Sequence, residues 1–294
     1  MPRVHRIAVV LAVAVAALTA CAGGPGTAAD ADGRVRVVAG LYPLAYLAEQ
    51  IGGDDVEVTT LAAAGVEPHD LELSPTQVAQ IAQADVVLYV PGLQPALDEA
   101  VAQQAPDAAL DVTASVTTRP ASTGGGGTDP HVWLDPANMA AMGRALAERL
   151  GTAVPDAAAR SARFAERMDE LAADMRSGLA DCRIRDVVVT HESFGYLADA
   201  YGLHQIGLSG IDPQAEPSPA RLAEVADLVR ANAITTIYTE PLIPAEVAET
   251  IAAETGTVTA VLDPIEARSS DPDADYEKTM RANLAALRLG QDCR

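Results

Sequence analysis

Short apolar runs alternate with amphipathic stretches along most of this chain. Residues 35–39 (VRVVA) and 85–90 (DVVLYV) are runs of the length and β-branched content of buried strands, and residues 56–61 alternate as a strand does. Helical patterns fall at 44–51, 75–82 and 93–103, and residues 109–112 form another short strand. Strands that alternate with helices in this way predict a parallel sheet covered on both faces. A helix over 136–150 follows. Residues 155–180 are then rich in Ala, Arg, Glu and Met with no internal proline. They read as one long helix with Pro155 in its first turn and Asp156 at the positive end of its dipole. After it the alternation restarts, with strands at 187–190, 206–208, 235–239 and 258–262. Helices are expected between and after them at 193–201, 219–232 (capped by Ser218), 244–255 and 273–289. The predicted architecture is α/β, with two parallel-sheet lobes joined by one long rigid helix.

The first residues read differently. Arg3 and Arg6 precede fourteen uncharged residues, 7–20. That is shorter than the roughly 20 residues of a spanning helix and fits the apolar part of an export signal, with a buried core helix as the alternative. Residues 18–21, LTAC, resemble a bacterial lipobox, in which Cys21 would be lipidated and become the first mature residue. The expected division is a lipoprotein signal at 1–20, a flexible tether at 21–34, a first lobe at 35–154, a linking helix at 155–182 and a second lobe at 183–294. An exported chain meets oxidising conditions, so a disulfide between Cys182 and Cys293 is one expectation and two separate thiols the other.

Charge narrows the function classes. Twenty Lys and Arg stand against 41 Asp and Glu, a net charge of −21. Loss of Arg3 and Arg6 with the signal leaves 18 basic side chains and a net −23. Phosphate binding needs a basic face, so nucleic acid is excluded as a partner, and electrostatic docking on an anionic membrane is disfavoured. The glycine-rich segment 122–128 (STGGGGT) is followed by no Lys-Ser/Thr, so it is no Walker-type phosphate loop.

Five histidines are present. His5 leaves with the signal, and His204 precedes a short strand and reads as structural. His69 (EPHDLELSP), His191 (VTHESFGYL) and Asp263 (LDPIE) each follow a predicted strand, and His131 (DPHVWLDP) lies in a loop of the same kind. In open α/β sheets ligands bind beyond the carboxyl ends of the strands. If the two sheets face each other across a cleft, three imidazoles and one carboxylate would meet there as a tetrahedral set suited to zinc. None of the spacings is a short metal motif, so the alternative is that each histidine caps its own loop.

The lipobox, EPHDLELSP, ADVVLYV, DPHVWLDP, THESFGYLADAYGL, EPSPARL, YTEPLIP and LDPIE occur in an order that resembles the metal-specific solute-binding lipoproteins of bacterial ABC transporters. The resemblance covers nearly the whole chain. It implies two α/β lobes bridged by a rigid helix, a small closing motion, and metal ligands at His69, His131, His191 and Asp263 in the inter-lobe cleft. It implies a monomeric carrier, held to the outer face of the cell membrane by a lipid on Cys21, that hands its ion to membrane permease and ATPase subunits. Manganese-preferring members typically carry a carboxylate at the position of His191, so a third imidazole points to Zn2+, with Mn2+ as the alternative cargo. Many zinc-specific relatives carry a His-rich loop before the second ligand, whereas residues 117–129 contain no His. Glu67, Glu192 and Glu240 are candidates to orient the imidazoles, the plainer reading of the last two being acids near helix starts. Trp133 reads as packing beside His131, and Glu216 and Arg221 as helix-start and lobe–lobe contacts. Two other classes stay open: an exported zinc hydrolase with Glu192 or Glu240 as general base, and an adhesin with a structural metal site. Against the hydrolase stands the lack of an HExxH or GxSxG motif.

Overall fold

The computed structural model describes residues 33–121 and 127–294. The expected signal, Cys21, most of the tether and the centre of the glycine-rich segment lie outside the described residues. The first half builds β1 (Val35–Ala39), α1 (Tyr42–Gly52), β2 (Val56–Thr60), α2 (Pro75–Gln83), β3 (Val86–Tyr89), α3 (Pro95–Gln104) and β4 (Ala109–Asp111). Its sheet is parallel in the order β2-β1-β3-β4, with Val35 opposite Val56 and Val37 opposite Val86. Next come α4 (Pro136–Leu150) and α5 (Ala157–Gly178). The second half runs β5 (Asp186–Val189), α6 (Gly195–Tyr201), β6 (His204–Gly207), α7 (Pro219–Ala231), β7 (Thr236–Thr239), α8 (Glu246–Thr255), β8 (Val258–Val261) and α9 (Tyr276–Gly290). Its sheet repeats the order as β6-β5-β7-β8.

Where a helix has a capping side chain, it begins at that side chain. Ser74 and Gln77 form a reciprocal capping box on α2, Asp135 accepts the Ala137 N–H at α4, Ser218 accepts the Arg221 N–H at α7, and Asp275 accepts the Lys278 N–H at α9. The α9 cap places its start three residues after the expected 273. Asp156 makes no side-chain cap, and α5 begins only at Ala157, so Pro155 precedes the helix instead of sitting in its first turn. α8 likewise begins at Glu246, past Pro244.

Alternate strand residues face different cores. Val37, Val86 and Leu88 from the first sheet and Val187 and Val189 from the second belong to one continuous cluster with Leu47 of α1, Met142 of α4, Phe164 and Met168 of α5 and Leu287 of α9. The opposite faces have separate cores: Val38 and Val87 pack with Ile81 and Leu97, and Val188 and Ile237 with Val225 and Ile251. At 22 residues, α5 is about 33 Å long and packs on α1 and α4 on one side and α9 on the other. Cover fails at one edge: β8 has a single neighbour strand, and Val258 and Val261 are 63% and 58% exposed. Cys182, after α5, is disulfide-bonded to Cys293, after α9. Among the described residues no helix is long and apolar enough to cross a membrane.

Candidate metal centre

Four loops deliver the site. The loop after β2 carries His69, and the buried Gln94 amide fixes it by donating to the carbonyls of Pro68 and of Gly40 at the end of β1, both at 3.1 Å. Gly40 has to lack a side chain, because a Cβ there would lie 2.5 Å from Gln94 Oε1. Glu67 accepts the His69 N–H at 3.1 Å. His131 opens a 3-10 turn, Val132–Leu134, just before α4. Trp133 in that turn is fully buried with its ring edge-on to His131, and its Nε1 donates to the Pro264 carbonyl at 2.7 Å. His191 lies two residues past the end of β5, and Glu266 lies in the loop after β8.

A single oxygen, Glu266 Oε1, lies 3.4 Å from His69 Nε2, 3.3 Å from His131 Nε2 and 3.5 Å from His191 Nε2. The Nε2 atoms of His131 and His191 are 3.4 Å apart. Zinc–nitrogen bonds of about 2.0–2.1 Å imply about 3.3–3.4 Å between neighbouring corners of a regular tetrahedron. Four of the six donor–donor separations match those edges, and the four side chains form a potential metal-holding group with donor atoms all within 4.8 Å.

Behind two of the rings stand carboxylates. Asp129 Oδ1 lies 2.8 Å from His131 Nδ1 and accepts the His131 N–H, while its Oδ2 takes a 2.8 Å bond from Arg119. Arg119 continues to Asp199 on α6. Glu240 Oε2 lies 2.8 Å from His191 Nδ1, and its Oε1 accepts from the Thr190 hydroxyl and the His191 N–H. A hydrogen bond such as that between Asp129 and His131 Nδ1 fixes which nitrogen is free to ligate and how the ring is aimed, whereas Glu240 faces His191 Nδ1 as an ion pair.

Electrostatics follow from this packing. Burial opposes charge on His131, yet Asp129 and Glu266 outweigh it and raise the ring above its ordinary value. Burial likewise opposes charge on His191, but Glu240, with help from Glu266, lifts it to about 10. Burial alone would raise Glu266; the imidazoles of His131, His191 and His69 instead hold it well below the ordinary carboxylate range. Asp129 is also lowered, because its bonds from His131 and Arg119 exceed the cost of burial.

The structure brings His69, His131 and His191 together as expected but places Asp263 outside the group. The fourth member of the group is Glu266, three residues on. Asp263 Oδ1 accepts the Ile265 N–H at 2.7 Å, and burial raises its carboxyl. Both acids belong to LDPIE, and the backbone turn between them decides which one faces the imidazoles. Of the three candidate orienting acids, Glu240 lies behind His191, Glu67 holds the His69 backbone, and Glu192 is buried with its side chain against Gly207. Sequence pattern alone does not mark Asp129; its signal is an acid two residues before a histidine, close enough to capture that residue's N–H. Arg221 donates to the Gly207 carbonyl and pairs with Glu224, both within the second lobe. His204 is exposed and pairs with Asp186.

A family model described as "Zinc-uptake complex component A periplasmic" matches residues 37–290. The chain belongs to this family. A zinc-binding protein AdcA of Streptococcus pyogenes serotype M6 is 32% identical over 89% of the chain. The match covers 57% of that relative, so the chain spans little more than half the length of the streptococcal AdcA proteins. The high-affinity zinc uptake system protein ZnuA of Bacillus subtilis (strain 168) is 29% identical over 92% of the chain and 93% of the relative. The crystal structure of Zn(II)-bound AdcA from Streptococcus pneumoniae superposes with a TM-score of 0.76 at 31% identity, covering 88% of this chain and 58% of that one. The zinc-uptake component A fold thus extends across both lobes and α5.

Proposed function

We propose that this family member is an extracytoplasmic carrier that captures Zn2+ at His69, His131, His191 and Glu266 and delivers it to the permease and ATPase subunits of an ABC importer. The observation that carries this reading is the donor geometry, three Nε2 atoms around one carboxylate oxygen at separations of 3.3–3.5 Å. Four protein donors fill a tetrahedral zinc sphere and leave no position for a reactive water, which disfavours the hydrolase reading. Three imidazoles favour zinc over manganese, since a harder cation prefers an oxygen-rich site. The names of the AdcA and ZnuA relatives support zinc as cargo. In this reading residues 1–20 are a lipoprotein signal, residues 21–34 tether the protein through a lipid on Cys21, and lobes at 35–154 and 183–294 flank the linking helix.

A competition titration of the metal-free protein with Zn2+ and Mn2+ against a chromophoric chelator tests it. One tight zinc site that outcompetes manganese is expected. Equal or tighter manganese binding would overturn the choice of cargo, and lack of tight binding to either ion would overturn the carrier reading.

A further inference from the structure

Asp263 sits in the loop that carries Glu266, yet its carboxylate serves the backbone, and its surroundings show to what end. Three consecutive residues of this loop are each tied down. The side chain of Asn283, 2% exposed on α9, accepts the Asp263 N–H at 2.9 Å and donates to the Asp263 carbonyl at 2.7 Å. The Pro264 carbonyl accepts the Trp133 indole N–H at 2.7 Å. The Ile265 N–H is held by Asp263 Oδ1 at 2.7 Å. Ile265 has a φ of +60° and is 1% exposed. A buried β-branched residue in the left-handed region is an outlier, and such a conformation persists only where its surroundings over-determine it. The very next residue is Glu266, whose Oε1 reaches all three imidazoles.

We infer that Asp263 and Asn283 form a clasp that imposes the left-handed turn at Ile265 and thereby aims Glu266 at the ion, so that Asp263 is a positioning residue and not a ligand. An extended Ile265 would carry the Glu266 side chain elsewhere, because reversing the sign of φ re-aims everything that follows. Trp133 completes the arrangement. Its turn begins with His131, and its indole grips the loop that brings Glu266, so two donors from opposite lobes are set by one side chain. The same clasp connects the site to α9, whose far end carries the disulfide at Cys293.

This inference rests on the four-donor site proposed above, and the test separates the two. Zinc dissociation constants are measured by chelator competition for the parent, Asp263→Asn, Asp263→Ala and His131→Ala, with the zinc-bound donor set read by X-ray absorption. Thermal unfolding of the metal-free proteins reports folding. Asp263→Asn keeps an Oδ1 acceptor for the Ile265 N–H but is a poor zinc ligand. It is expected to bind like the parent with an unchanged set of three nitrogens and one oxygen. Asp263→Ala is expected to weaken binding about 10- to 100-fold, as loss of an orienting group does. If Asp263→Asn weakens binding as much as Asp263→Ala and an oxygen donor is lost, Asp263 is itself a ligand and the clasp is refuted. Parent-like binding by Asp263→Ala also refutes it. Should Asp263→Ala fail to fold, Asp263→Asn alone decides on the same grounds. Parent-like binding by His131→Ala would instead remove the metal site on which both readings stand.

Discussion

The two lobes share one strand order and treat the site differently. In the second lobe, Glu240 follows β7 immediately, His191 comes two residues after β5, and Glu266 lies five residues past β8. In the first, β1 and β3 contribute no donor; His69 and His131 arrive on longer excursions, nine residues after β2 and just before α4. Support differs too. His131 and His191 are fully buried and each has a carboxylate 2.8 Å behind its Nδ1. The His69 side chain is 9% exposed, and among the described residues its ion-pair contact is with Glu266 alone. A strand end supplies a rigid platform at no extra cost in ordering, whereas a loop-borne donor needs separate fixing by Gln94 or by the Asp129–Arg119 chain. Two rings are thus deep with a carboxylate behind each, and the third stands nearer the rim, its backbone held by Glu67 and its Nε2 against Glu266.

The largest effect expected is loss of a braced donor. A structural zinc site supplies roughly 10–16 kcal/mol, so one of four ligands carries on the order of 3 kcal/mol, and His191→Ala should weaken zinc roughly 100-fold. A loss below tenfold in a chelator competition would break the asymmetry just drawn. Next come the braces. Asp129→Asn and Glu240→Gln should each cost about 10- to 100-fold in affinity, while Glu67→Gln, which touches only the His69 backbone, should cost far less. Equal losses at all three would show that burial, not bracing, separates the rings.

The disulfide sharpens the comparison differently, because it ties only the second lobe to the end of α5. Cys293→Ser with Cys182→Ser should lower unfolding free energy by about 2–4 kcal/mol, read by denaturant melts, and leave zinc affinity unchanged. A large loss of affinity would mean that α9 moves when the tie is cut.

The smallest effect is on the pH dependence of the metal-free protein. His131 and His191 are raised from 6.5, so their stabilisation is complete below about 6.5 and is lost as pH rises, through about 10 for His191. Glu266 and Asp129 are lowered from 4.5 and 3.8, so theirs is complete above those values and is lost as pH falls. Thermal melts should therefore be highest between about pH 5 and 6.5 and decline toward pH 9. Zinc replaces the ring protons and should remove the alkaline decline. A metal-free midpoint that rises from pH 6.5 to 9 would contradict the electrostatics of the cluster.

Strands were legible because runs such as VRVVA and DVVLYV have only one comfortable conformation, and helix starts were legible wherever Ser or Asp stood before Pro. Ser74, Asp135 and Ser218 each cap as their position suggests. Pro155 and Pro244 misled because a proline without a capping side chain is as content in the turn before a helix as inside it. The three imidazoles stood out because histidine is scarce in this chain. The carboxylate that joins them did not, since LDPIE offers two. The choice hangs on the sign of one φ at Ile265, a residue type that ordinarily avoids the value it takes. Local preference pointed one way there, and the partners on α9 and in the His131 turn, far away in sequence, pointed the other.

The core that runs unbroken from the first sheet through α5 to the second has a kinetic consequence. A protein whose halves hinge about flexible strands can release its cargo by swinging apart. Here a wide swing would open a hydrophobic interior to water, so the easy route out is sideways, past the one ring that stands at the rim. In the proposed carrier, departure of the ion is then expected to require movement of His69 and the loop behind it. Its escape rate should follow substitutions near Gln94 and Pro68 more closely than any that loosen α5.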